Sequence, residues 1–337
     1  MTRTFAAMAL SASLASMAVL GAQDAQAPSF RSTTDLVSVY ATVTDKDGRL
    51  ITDLSEADFK VYDNGKQQPI KLFNNGLFPF SVVVMLDRSG SMADNFRLVR
   101  EGAQAFVRQM RDDDRARVGS FAQEVIITPE EFSSDRERLE DILMNGLQNI
   151  GPSPVWTAVD KSISALLTEP GRRVVLLFTD GHNTPARGLA ITHLDDVVRR
   201  AQVDEIMVYT IGFANTYSTP AFAGGGPGGM PGGYPPPRYP MPPGPGGGAV
   251  LSAKRVEPPD PGLKDLADAT GGGYFEMDVK NDLVSIFTRI AEELHRQYWI
   301  GFAPSKLDGN SHKIEVKSSR PGVKVRARRS YVASKRF

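Results

Sequence analysis

A carboxylate and two hydroxyls stand at alternate positions in the stretch VVVMLDRSGSMADNF, residues 82–96, where Asp87, Ser89 and Ser91 follow an apolar run. In a loop leaving a buried strand, side chains at i, i+2 and i+4 can converge on one point, so this trio offers one anionic and two neutral oxygen donors. Such donors suit a hard cation, Mg2+ or Ca2+, with Mg2+ keeping several waters. A second carboxylate, Asp180, ends another apolar run in VVLLFTDGHN, residues 174–183. Ligands of open α/β sheets sit outside the carboxyl ends of the strands, and Asp87 and Asp180 both occupy such ends.

A plain turn also fits the first run, with Ser89 or Ser91 capping the helix that follows and Asp87 favouring its N-terminal dipole; these roles are compatible with ion binding. Catalytic readings fit less well. A phosphoryl-accepting Asp commonly works beside a second acid, and position 89 is Ser. No G-x-S-x-G elbow surrounds Ser89 or Ser91, and no G-x-x-x-x-G-K-[ST] loop occurs. His182, His193, His295 and His312 are scattered without ligand spacing. The absence of cysteine removes disulfides, thiolate zinc sites and thiol nucleophiles together. TGGGYF, residues 270–275, lacks dinucleotide-binding spacing and reads as a helix stop.

The elements that must hold these residues are visible in the hydrophobic pattern. From Ser81 on, the apolar runs SVVVMLD, ARVGSFAQ, RRVVLLFTD and EIMVYTIGF read as strands buried on both faces. Between them, Phe96, Val99, Ala103, Phe106 and Met110 recur at helical spacing, as do Leu139, Ile142, Leu143 and Leu147, then Leu194, Val197, Val198 and Ala201. This alternation predicts an α/β domain with a doubly wound, mostly parallel sheet over residues 79–297. Within it, residues 222–249 are almost entirely Gly and Pro and read as a flexible surface insertion.

Both flanks carry β signals. Residues 28–78 contain LVSVYATVTDKDG and the hairpin DFKVYDNGKQQPIKLF, four short strands in all; residues 298–337 contain YWIGFAP, HKIEVKSS and VKVRARRSYV, three strands. Each flank is too short to fold well alone, so the two are expected to pair into one small β-sandwich with the α/β domain inserted between them. Tyr298, Trp299 and Phe302 are assigned to its core rather than to an aromatic binding surface. Ahead of the flanks, Arg3, an uncharged run from Thr4 to Gln23 and small residues near Ala22 to Ala27 have the order of a secretory signal peptide, residues 1–27. Pro28 disfavours a cut directly before it, so cleavage after residue 22 competes. No later segment reaches the ~18 apolar residues of a spanning helix.

DRSGSM resembles the D-x-S-x-S motif of the von Willebrand factor type A (VWA) domain, where it opens the metal-ion-dependent adhesion site (MIDAS), and FTDG follows a later strand as in that family. The resemblance implies a Rossmann-like doubly wound sheet and a divalent cation, Mg2+ first with Ca2+ or Mn2+ as substitutes, with Asp87, Ser89, Ser91 and Asp180 as ligands, the carboxylates acting directly or through water. The family's further ligand is usually a Thr in a Gly-Gly-Thr loop. Here NIGPSPVWTAVDKSISALL, residues 149–167, puts Ser153 at that position and Pro152 where the second Gly would stand; Thr157 is the other nearby hydroxyl. The flanks resemble those of VWFA-related proteins abundant in acidobacteria, so that the likeness spans most of residues 33–333 apart from the insertion.

These features predict an exported bacterial protein, periplasmic or extracellular, with no membrane span in the mature chain. It is expected to be non-catalytic and to bind a protein ligand that offers an Asp or Glu to the metal. A structural or assembly module with a weak metal site is the alternative, and a hydrolase the third choice. Lys plus Arg and Asp plus Glu each number 39, a balance that argues against a nucleic-acid partner.

Overall fold

The computed structural model describes residues 36–219, 253–277 and 283–334; the predicted signal segment 1–27 and the insertion 222–249 lie outside the described residues. In the N-terminal flank come β1 (Val37–Thr44), β2 (Phe59–Asp63), β3 (Lys66–Gln68) and β4 (Ile70–Asn74). Next are β5 (Phe80–Asp87), α1 (Phe96–Gln109), β6 (Arg115–Phe121), β7 (Val125–Ser133), α2 (Arg136–Asn145), α3 (Val155–Leu166), β8 (Arg172–Thr179), α4 (Leu194–Val203) and β9 (Ile206–Phe213). The antiparallel pair β10 (Asn215–Thr219) and β11 (Ala253–Glu257) precedes α5 (Gly262–Thr270), β12 (Tyr274–Met277) and α6 (Leu283–His295). The C-terminal flank holds β13 (Tyr298–Phe302), β14 (Ser311–Ser318), β15 (Lys324–Arg326) and β16 (Ser330–Val332).

Six strands form the central sheet in the order β12-β9-β8-β5-β6-β7, parallel throughout except for β7, which runs antiparallel to β6 at one edge. Every residue of β5 is buried. Because side chains alternate across a strand, Val82, Val84 and Leu86 pack with Ala103 and Phe106 of α1, Leu139 of α2 and Phe287 of α6. Val83 and Met85 join Val155 and Val159 of α3, Val197 of α4 and Leu263 of α5. Burial on both faces is why β5 reads as an unbroken apolar run, and it places Asp87 at the sheet's carboxyl edge. Edge strands β7 and β12 escape the sequence pattern: VIITPEEFS and YFEM are mostly exposed or half-buried, and the apolar run of β7 stops after three residues.

TGGGYF does end a helix. Gly271 caps α5 with φ +83°, and the next glycine lies so close to β9 that a Cβ there would sit 1.9 Å from the Val208 carbonyl oxygen. The stretch then continues directly into β12.

The flanks pair with each other. One antiparallel sheet has the order β15-β1-β13-β4 and a second the order β16-β14-β2-β3. Val39, Ala41, Phe59, Val61, Tyr298, Ile300, Phe302 and Ile314 share one core between them. The expected third C-terminal strand over 323–332 is instead two: β15 pairs with β1 and β16 with β14, in different sheets. The break has a local cause, since the Arg329 amide turns to the Ala269 carbonyl of α5 and the backbone at Arg328 abuts Gly271. Of the aromatic trio, Tyr298 and Phe302 enter the core, whereas Trp299 faces the other way and stacks on Tyr40. Buried Glu293 of α6 ties this region to the α/β domain, accepting from the Thr42 hydroxyl (3.1 Å) and the Tyr209 hydroxyl (2.9 Å) and pairing with Arg326.

Candidate metal centre

The loop after β5 is held in register by its backbone. The Arg88 amide donates to the Phe121 carbonyl (2.9 Å), extending the β5–β6 pairing, and its carbonyl accepts from the Gly151 amide (3.2 Å). Ser89 and Gly151 form an isolated parallel bridge, which brings the loop before α3 against the loop before α1. The Arg88 side chain fastens both, with Nε on the Gln148 carbonyl (2.9 Å) and its guanidinium 3.7 Å from the Phe96 ring centroid.

At the centre is Asp87, fully buried. Its Oδ1 accepts from the Ser89 amide (2.7 Å), and its Oδ2 accepts from the hydroxyls of Ser153 (3.0 Å) and Thr179 (2.5 Å). The Ser89 and Ser91 hydroxyls lie 3.1 Å apart. Burial, reinforced by the charge of Asp180 and opposed by these hydrogen bonds, pushes the Asp87 carboxyl up to about 6. Asp180 is buried as well; its Oδ1 accepts from the His182 amide (2.9 Å) and its carbonyl from the Asp260 amide (3.0 Å). Ser153 is oriented through its carbonyl, which accepts from the Val155 (2.9 Å) and Thr184 (2.7 Å) amides.

The structure thus gathers Asp87, Ser89, Ser91 and Ser153 into one connected cluster, with Asp180 next in sequence to Thr179 and electrostatically coupled to Asp87. Thr157 is elsewhere: its hydroxyl engages the Ala190 carbonyl and the Thr192 hydroxyl, each at 3.2 Å. Thr179 is the residue that sequence reasoning missed. Its only signal was a hydroxyl beside the strand-end carboxylate of FTDG, on the assumption that the last β8 residue points inward.

The donor set is carboxylate and hydroxyl oxygen, which fits a hard cation and offers nothing to a soft one. Among the described residues no group of three His, Cys, Asp or Glu side chains converges, so an ion here relies on the hydroxyls and on water. His182 flanks the cluster with its Nε2 buried, lacking a hydrogen-bond partner and 3.9 Å from Glu257.

Residues 81–222 match the family model of the von Willebrand factor type A domain. Comparison with curated proteins finds no match. Among solved structures, an aerotolerance-related membrane protein from Bacteroides fragilis is 18% identical over 64% of this chain and 98% of its own, with a TM-score of 0.43. A von Willebrand factor type A protein from Catenulispora acidiphila is 11% identical over 91% of this chain and 78% of its own, TM-score 0.47. The vWF domain of the pilus tip protein Mfa5 from Porphyromonas gingivalis is 21% identical over 34% and 43%, TM-score 0.30. Taken with the buried β5, the D-x-S-x-S loop at its carboxyl end and the parallel sheet around it, the family match identifies residues 81–222 as a von Willebrand factor type A domain.

Proposed function

We propose that this is an exported, non-catalytic binding protein that recognises a protein partner through a divalent cation held by Asp87, Ser89, Ser91, Ser153 and Asp180. The observation that carries the reading is the convergence of Ser89, Ser153 and Thr179 on the buried carboxylate of Asp87, at the carboxyl edge of the sheet. A bound Mg2+, or Ca2+ or Mn2+ in its place, supplies a positive centre to which an Asp or Glu of the partner binds. The chain's own part is to orient oxygens. Ser153 and Thr179 fix the Asp87 carboxylate, and the Ser89–Gly151 bridge fixes the loop that presents Ser89 and Ser91.

The hydroxyls speak for binding rather than hydrolysis. Those of Ser153 and Thr179 donate to a carboxylate and those of Ser89 and Ser91 meet each other, so none is paired with a histidine base. One apolar side chain stands beside the site: Ile150 is 58% exposed and lies against Gly90, within the motif itself. An exposed apolar residue next to an ion suits a partner acid with an apolar neighbour. Export rests on the N-terminal pattern, and no helix among the described residues is long and apolar enough to cross a membrane.

Calorimetric titration of Mg2+, Ca2+ and Mn2+ tests the ion, and capture from envelope and extracellular fractions with and without chelator tests the partner. Saturable ion binding together with chelator-sensitive capture is expected. No heat from the wild-type protein at millimolar ion overturns the metal reading, and capture that ignores chelator moves the contact to another surface.

A further inference from the structure

At the opposite end of the sheet, where β5, β8 and β9 begin, lies a cavity of about 550 Å³ between the α/β domain and the outer face of the β15-β1-β13-β4 sheet. Tyr40, Phe78 and Trp299 supply aromatic wall, and Arg172, Arg173 and Arg328 supply charge. Trp299 stacks on Tyr40 at 6.2 Å and meets Phe78 edge-on at 5.5 Å. Its indole Nε1 is buried with no hydrogen-bond partner.

The charges are unbalanced. Arg172 is 3% exposed, yet its hydrogen bonds go to neutral oxygens, Gln297 Oε1 (3.1 Å) and the Phe78 carbonyl (2.7 Å), and its Nε has no partner. No carboxylate among the described residues lies within ion-pair distance of it; the ion pairs formed are all between other residues. Arg328, 8% exposed, donates through Nη2 to the Ser38 carbonyl (2.6 Å) and to Glu205 (2.8 Å), leaving Nε and Nη1 buried and unpaired. Glu169, the other carboxylate of the wall, is held by Arg115 and by the Ser81 hydroxyl. Buried charges are ordinarily paired, because a desolvated ion without a counter-charge costs several kcal/mol, and a buried donor left unmade costs about 1–3. Around one cavity stand a buried guanidinium with no ion-pair partner, met instead by the Tyr40 ring at 5.3 Å and the Phe80 ring at 5.8 Å, a second guanidinium with two unpaired nitrogens, and an unpaired indole N–H: more donors than acceptors.

We infer that this cavity binds a small organic carboxylate with an aromatic or apolar body. Its volume falls in the range of small-molecule pockets, about 300–1,000 Å³. The anion's place is beside Arg172 and Arg328, whose guanidinium groups turn from the wall to meet it, and the body's place is against Tyr40, Phe78 and Trp299. With Glu205 and Glu169 also in the wall, a monoanion matches the charge better than a polyanion does.

Trp299 reports on its own site. The chain has two tryptophans, and Trp156→Phe removes the other, which is buried in α3 far from these residues in sequence. In that background, with chelator present so that no carboxylate can bind through a divalent ion, 4-phenylbutyrate and 2-naphthoate are titrated against their primary amides, following Trp299 emission and, independently, heat. A saturable change with each acid, at a Kd between about 10 μM and 1 mM, and at least about tenfold weaker binding of each amide are expected. Arg172→Gln, shown folded by circular dichroism, is expected to weaken the acids about tenfold or more and the amides little. Equal response to acid and amide, no saturation by about 10 mM, or unchanged acid affinity in folded Arg172→Gln overturns the assignment. If Arg172→Gln does not fold, the acid–amide comparison on the parent protein decides alone.

Discussion

The two ends of the central sheet handle a buried charge in opposite ways. At the carboxyl end, Asp87 is a buried carboxylate surrounded by neutral donors, the Ser89 amide and the Ser153 and Thr179 hydroxyls. At the amino end, Arg172 is a buried guanidinium surrounded by neutral acceptors, Gln297 and the Phe78 carbonyl. Burial drives each away from its charged form, Asp87 up to about 6 and Arg172 below the ordinary guanidinium value. What differs is how each site is assembled. The carboxylate is met by the Ser89 amide two residues on and by hydroxyls from the loop before α3 and the end of β8, all within the α/β domain, whereas the guanidinium cavity is built from β1, the approach to β5, the start of β8 and the crossing between β15 and β16. A strand end with a local motif is a site of the domain alone; the other end becomes a site only because the flanks close over it.

Substitutions at four positions test this contrast. The largest effect is expected from Asp87→Ala, which should weaken Mg2+ or Mn2+ binding by more than about 100-fold in calorimetry and leave 4-phenylbutyrate affinity within about twofold; well-separated sites behave additively. Arg172→Gln should do the reverse, and a crossover in either direction would show that the ends are coupled.

Next in size is a pH effect at Asp87. Its folded carboxyl holds a proton more tightly than an unfolded carboxyl does, so the associated stabilisation of the ion-free protein is complete below the unfolded value of 3.8 and is lost as pH rises through about 6. Chelated wild type should therefore lose on the order of 3 kcal/mol relative to Asp87→Asn between those limits, read from denaturant midpoints. Saturating Mg2+ should reverse the trend, because proton and cation compete for the same carboxylate. A wild type and Asp87→Asn with parallel pH profiles would count against a strained carboxylate at this end.

A smaller change is expected at the loop before α3. Ser153→Ala removes one hydroxyl from Asp87 and should weaken the ion about tenfold, while Ser153→Thr, which keeps it, should not. Smallest of all, Thr157→Ala should leave ion affinity within about twofold, since that hydroxyl is spent on Ala190 and Thr192.

Much of the carboxyl-end cluster was legible because it is local. Asp87, Ser89 and Ser91 are two residues apart, and the apolar run before them announces a strand buried on both faces. Ser153 was legible through the GPSP loop once the family resemblance was seen. Thr179 was not, because a hydroxyl at the end of an apolar strand is usually no more than a buried Thr satisfied by backbone. The edge strands β7 and β12 were missed for a related reason: an edge is half exposed, so its sequence carries no clean period. The split of residues 323–332 into β15 and β16 could not be read either. The alternation of Val323, Val325 and Ala327 lapses at Arg329 and resumes at Tyr331, a lapse that by itself reads as one polar position in a single strand; the approach of Arg328 to Gly271 makes it a break.

The parallel sheet, the loop chemistry at Asp87 and the β character of the flanks can be read from chain order, because each follows from periodicity or spacing within about a dozen residues. The tertiary structure alone decided which hydroxyl completes the cluster, that Trp299 turns outward while Tyr298 and Phe302 turn in, and that Arg172 is buried without a carboxylate. Those outcomes depend on contacts between residues as far apart as Ser38 and Arg328, and burial and charge pairing are properties of such contacts, not of the chain order that precedes them.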